Sequence, residues 1–193
     1  HTPRYNLGPG QLVMAVISDG EKNRLGELKW GLIPSWAKDD KIANKTVNAK
    51  AETVDTLASY RTPFKKKRCL IPSDGFIEWR ESDKQPFRIQ LNDQKIFSMA
   101  GLYDTWISPE GVKISTCTII TTEPNEFMKG IHRRMPVILK PADEKYWLDK
   151  NQKPEDLKEL LKPYPNVEMK AYPVPRTIGN VKNQGAELIE ELK

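Results

Sequence analysis

Short runs of β-branched and aromatic residues follow one another through most of the chain, and this succession constrains the fold more than any other feature of the sequence. The runs are Leu12–Ser18, Leu25–Ile33, Lys67–Pro72, Gly75–Trp79, Pro86–Leu91, Lys95–Trp106, Lys113–Thr122, Met135–Lys140 and Val167–Val174, each bounded by turn residues. Connections such as Asn92-Asp93-Gln94 and Ser108-Pro109-Glu110-Gly111 are too short for a parallel crossover and predict antiparallel hairpins. Helical signals are few: Ala51–Tyr60, Glu123–Ile131 with Thr122 as N-cap, Pro141–Leu148 and Pro154–Leu161. The last two open on a proline, whose missing N–H costs nothing in a first turn. The reading is α+β: a single domain over residues 1–193 with a mostly antiparallel, curled or barrel-like sheet and short peripheral helices.

A length of 193 residues suits one core, and no composition shift, repeat or low-complexity tract marks a second domain. No apolar stretch approaches the length of a membrane span and no secretory signal opens the chain, so the expected location is the cytoplasm. Cys69 and Cys117 belong to no C-x-x-C pair and sit in strand-like runs, where a thiol behaves as a small buried hydrophobe. The expectation is two inert thiols, no disulfide, no metal site and no cofactor.

Only His1 and His132 carry imidazoles, so any internal imidazole chemistry falls on His132. Its setting, Ile131-His132-Arg133-Arg134-Met135-Pro136, is a helix end running into a strand, with two fixed cations that oppose an added charge. In isolation it reads first as a structural histidine. Glu78 lies in Asp74-Gly75-Phe76-Ile77-Glu78-Trp79, where period-two alternation puts Phe76, Glu78 and Arg80 on one face. A carboxylate beside aromatic bulk is costly unless paired or used as an acid or base, and an arginine-paired structural glutamate looks the same at this level. The run Lys65-Lys66-Lys67-Arg68, the Arg133-Arg134 pair and a net charge of +5 are compatible with a polyanion partner but equally with a solvated surface. Trp30 and Trp36 bracket a Gly/Pro turn, where exposed rings stack on bases and buried ones fill a core.

Taken in order, Trp30-Gly31-Leu32-Ile33-Pro34-Ser35-Trp36, Asn48-Ala49-Lys50-Ala51-Glu52, Cys69-Leu70-Ile71-Pro72-Ser73-Asp74-Gly75-Phe76-Ile77-Glu78-Trp79, Ala100-Gly101-Leu102-Tyr103, Ile131-His132-Arg133-Arg134-Met135-Pro136 and Gly179-Asn180-Val181-Lys182-Asn183 resemble the SRAP family. These are the SOS-response-associated peptidases, also described as abasic-site processing proteins. The resemblance implies a monomeric domain with a cationic channel for single-stranded DNA. It implies covalent capture of abasic sites by an N-terminal cysteine, after the protein releases its own initiator methionine, and an abasic-site lyase activity. By motif, Asn48, Glu78 and His132 match the family's active-site residues; Lys50 and Arg134 fall at its DNA-phosphate contacts, and Trp36 lines the channel wall. The DNA-bound form is then expected on the nucleoid.

The chain as written opens His1-Thr2-Pro3-Arg4-Tyr5-Asn6 and contains no Met-Cys-Gly-Arg start. The expectation is a polypeptide that lacks the family's leader with its catalytic cysteine, and so binds single-stranded DNA without forming the thiazolidine. Two other readings stand beside this one: a thiol peptidase using Cys69 with His132, and a non-catalytic single-strand-binding module. The abasic-site reading requires Glu78 and His132, 54 positions apart, to face the same pocket.

Overall fold

The β-runs resolve into two sheets in a computed structural model that describes residues 2–93 and 96–193. The larger contains β1 (Leu12–Ser18), β2 (Asn23–Trp30), β3 (Asn48–Lys50), β4 (Arg68–Ser73), β7 (Phe97–Ile107), β8 (Lys113–Thr122), β9 (Met135–Pro136) and β10 (Ile138–Leu139). Its order is β10-β7-β4-β1-β2-β8-β3 with β9 on β8, and a further β7–β8 pairing returns the ladder to its start. The smaller sheet joins β5 (Phe76–Trp79), β6 (Pro86–Leu91) and β11 (Met169–Pro173) in the order β11-β6-β5. The helices are α1 (Arg61–Lys66), α2 (Glu126–Lys129), α3 (Pro141–Leu148) and α4 (Pro154–Lys158). The expected α+β domain of sheets with a few short helices is what the chain forms.

Alternation along the central strands feeds two cores. Cys69 and Ile71 of β4, Met99 of β7 and Ile119 of β8 join one apolar cluster with Ile89, Met128 and Met135, which glues the smaller sheet to the larger. Leu70, Ala100 and Ile120, on the opposite face, join a second cluster with Phe64 of α1 and Trp147 of α3. Burial on both faces explains why these runs are almost continuously apolar. Both cysteines are free and fully buried; burial raises the Cys69 thiol well above its usual range and pushes that of Cys117 up to about 12.

Several local expectations are corrected. Residues 51–60 form successive turns rather than a helix, with Thr53 N–H donating to the Lys50 carbonyl and Thr56 N–H to that of Thr53. A stretch holding Thr53, Val54 and Thr56 has weak helix propensity, and the helix begins only at Arg61. The helix before His132 covers Glu126–Lys129 alone, capped by Asn125, whose side chain accepts from Met128 N–H. Pro124 restricts Glu123 to extended backbone, so Thr122 cannot act as the cap. The Ser108–Gly111 turn does close the β7–β8 hairpin, but β6 pairs with β5 and β11, not with β7; Gln94 and Lys95 of that connection lie outside the described residues. Two pairings with β8, from β2 and β3, are parallel. Strand β2 stops at Trp30 because Gly31 takes φ +123, and a Cβ there would lie 2.9 Å from the Ala43 carbonyl oxygen.

Candidate active site

Glu78 reaches its position through strand geometry. Phe76 packs against the cluster between the sheets, and the residue two positions on shares its face one step farther out. His132 arrives from the other side: α2 ends at Gly130, and the N–H groups of Ile131 and His132 both donate to the Met128 carbonyl at 2.8 Å. Glu81 N–H donates to the Ile131 carbonyl at 3.0 Å, tying the β5–β6 connection to that loop. The outcome is an open cleft of about 460 Å³ lined by Glu78, Trp79, Glu81, Lys84, His132 and Arg133.

Within it, His132 Nδ1 lies 3.9 Å from Glu78 Oε2 and Nε2 lies 3.9 Å from Glu81 Oε1. The side chains of Glu78 and His132 are 27% and 28% exposed, reachable by a ligand yet partly desolvated. Nδ1 also lies 3.1 Å from the Arg134 carbonyl and 3.2 Å from its N–H, so the tautomer decides which contact is a hydrogen bond. Burial pushes the Glu78 carboxyl above its ordinary 4.5; His132 and the Trp79 N–H pull it back, and Glu81 adds to the rise. A carboxyl that holds its proton longer, beside an imidazole, is suited to general acid–base work. The expected cationic surroundings of His132 are only half the picture. Arg133 does flank it, 3.6 Å from Glu81, but the ring faces two carboxylates that lie far away in sequence.

Of the other sequence candidates, Asn48, Lys50 and Arg134 lie together along β3 and β8. Lys50 of β3 pairs with Thr121 of β8, and Arg134 Nη2 donates to the Thr121 carbonyl at 2.7 Å. Asn48 and Lys50 are both exposed and share one face of β3. Arg134 is engaged in a bidentate pair with Glu52, at 2.7 and 2.9 Å, and its Nε is buried without a partner. That pairing holds the Glu52 carboxyl below its usual range. None of Asn48, Lys50, Arg134 or Trp36 lines the cleft. Trp36 is 59% exposed on a loop fixed by Ser35 N–H donating to Asp104 Oδ2 and by the Trp106 indole N–H donating to the Ala37 carbonyl. Trp30 is not a second exposed ring: it packs against the core and its indole donates to the Val47 carbonyl. Sequence reasoning missed Glu81 and Lys84, which a Ser-Asp-Lys turn between strands brings back over the end of β5.

Cys69 cannot act as a thiolate partner of His132, because it is buried in the sheet with its thiol held protonated. Among the described residues, no group of carboxylates, histidines and cysteines is arranged to hold a metal ion, and no helix is long and apolar enough to cross a membrane.

Comparison with known proteins agrees with the motif order. The sequence model of the SOS response associated peptidase (SRAP) family matches residues 1–181. Abasic site processing protein YoaM of Bacillus subtilis (strain 168) is 50% identical over 98% of this chain and 86% of its own length. Abasic site processing protein HMCES of Gallus gallus is 32% identical over 98% of this chain and 66% of its own length. A crystal structure of a protein from Bacteroides thetaiotaomicron superposes with a TM-score of 0.83 at 32% identity, covering 99% of this chain and 82% of that one. With its sequence and its fold matched along nearly all its length, the chain belongs to the SOS response associated peptidase family.

Proposed function

We propose that this protein recognises abasic sites in single-stranded DNA and that Glu78 and His132 move the protons of the reaction at the abasic sugar. The names of its relatives, abasic site processing proteins, support the substrate class. The observation that carries the chemistry is the 3.9 Å approach of the His132 imidazole to a Glu78 carboxyl whose pKa is raised by burial, in an open cleft.

An abasic sugar interconverts between a closed hemiacetal and an open aldehyde. Opening moves a proton from the anomeric hydroxyl to the ring oxygen as the bond between that oxygen and the anomeric carbon breaks. A neutral amine then adds to the aldehyde, the carbinolamine loses water to give an imine, and a thiol adding across the C=N bond closes a five-membered thiazolidine. Protonated Glu78 donates to the ring oxygen, regains a proton as the anomeric hydroxyl releases its own, and later donates it to the departing hydroxyl, while His132 accepts the proton released by the incoming amine. In the family's scheme both amine and thiol belong to an N-terminal cysteine, which Asn48 orients by hydrogen bonding. Lys50 and Arg134 hold flanking phosphates, and Trp36 forms part of the wall. His132 also serves as base for β-elimination where the strand is cleaved.

The test is covalent capture of an abasic oligonucleotide by a chain carrying a Met-Cys start ahead of this sequence, followed on denaturing gels. Glu78→Gln is expected to slow adduct formation by about 10²-fold or more with little change in affinity. Equal rates for the two proteins reduce Glu78 to a structural residue and leave a binding module.

A further inference from the structure

We infer that Lys84 and Arg133 form a phosphate-binding position on the rim of the cleft, taking a phosphodiester adjacent to the abasic sugar; this rests on the function proposed above. The cleft presents two carboxylates, Glu78 and Glu81, to an incoming polyanion. A DNA strand can settle there only where cations offset them. Arg134, two residues from His132, does not line the cleft, and its terminal nitrogens bond Glu52 and Thr121, so it does not offset the two carboxylates there.

Two cations of the cleft itself are left over. The Arg133 side chain is 83% exposed, and its contact with Glu81, at 3.6 Å, is an ion pair too long to be a hydrogen bond. Lys84 Nζ has no hydrogen bond or ion pair among the described residues. The backbone of Lys84 is also unusual: its φ of +59 makes it the one non-glycine residue with positive φ among those described. That conformation is held from several sides. Lys84 N–H donates to the Arg80 carbonyl at 2.9 Å. Arg176, from the segment after β11, donates to the carbonyls of Lys84 and Asp83 at 2.9 and 3.1 Å, and Asp83 is paired with Arg80. A residue whose backbone is held in a sparsely populated conformation by a neighbouring element, with its charge unused inside a cleft, is placed to meet a ligand. An ammonium and a guanidinium lining one cleft match the anionic oxygens of a phosphodiester.

The probe is a single-stranded oligothymidylate carrying one tetrahydrofuran residue, compared with oligonucleotides in which one linkage beside that residue is a neutral methylphosphonate. The parent chain is expected to bind the neutralised version more weakly on one side of the lesion. A Lys84→Gln/Arg133→Gln double variant should lose this discrimination, and the slope of log affinity against log salt should fall by about 0.7 for each cation removed. Lys84→Arg should retain most of both effects. A double variant that keeps the parent's discrimination and salt slope overturns this inference while leaving the proposed function standing. A parent chain that does not bind the oligonucleotide at all overturns both.

Discussion

Glu78 costs the folded chain stability at neutral pH, and its burial explains why. Burial raises its carboxyl above the ordinary 4.5, so the folded state holds this proton more tightly than the unfolded state. The contribution is therefore full below pH 4.5 and is lost as pH rises through the folded value. Glu78→Gln, which cannot ionise, should raise the unfolding midpoint at pH 7 by on the order of 1 kcal/mol of stability, and the gain should vanish near pH 4 in a calorimetric series. An unchanged or lowered midpoint at pH 7 contradicts a strained, desolvated carboxylate. Glu52 carries the opposite sign: Arg134 lowers its carboxyl, so its stabilisation is present above pH 4.5 and is lost as pH falls through the folded value. It is about half exposed, and solvent and salt reduce that contribution. At this scale the sequence was legible where a residue was rare or out of place, as with the only internal histidine and a glutamate amid aromatics. Glu81 was not legible, because nothing local distinguishes a carboxylate in a turn from a solvated one until tertiary contacts bring it to the imidazole.

Among the elements, the turn carrying Lys84 and the helices around Arg68 make separate predictions. Lys84→Gly removes a side chain from a left-handed backbone position, so it should leave the fold as stable or stabilise it by up to about 1 kcal/mol in urea unfolding. A marked destabilisation would mean the lysine side chain itself holds the turn. Arg68 is 4% exposed and donates to the carbonyls of Phe64, Lys65, Trp147 and Asp149, satisfying the ends of α1 and α3 together. Arg68→Met keeps much of the bulk but orphans those carbonyls, and a loss of about 3 kcal/mol is expected. The strands were readable because β-branched runs and turn residues act locally. The segment 51–60 forms turns and not the expected helix, because its threonines and Val54 disfavour one. The short helix at Glu126 was overextended because Pro124 and Asn125 set its start more strongly than Thr122.

For the whole molecule, the two-sheet arrangement is what makes the site. Strand β5 of the smaller sheet supplies Glu78 and the β5–β6 connection Glu81, the α2–β9 connection supplies His132 and Arg133, and the shared apolar cluster holds the two together. Which sheet β6 joins could not be read from its own residues, since it pairs with β5 on one side and with β11, about 80 positions farther on, on the other. With Lys50, Lys84, Arg133 and Arg134 contacting phosphate, binding of single-stranded DNA should weaken with salt at a slope near −3, about −0.7 per contact. A flat dependence would remove the electrostatic account. The most direct test of the central claim is a double-mutant cycle on the capture rate of an abasic oligonucleotide, using Glu78→Gln, His132→Ala and their combination in a chain with the Met-Cys start. If the two groups work as one proton-transfer unit, the combined variant is no slower than the worse of the single variants. Losses that multiply would mean that the two act independently and that their proximity in the cleft has no chemical meaning.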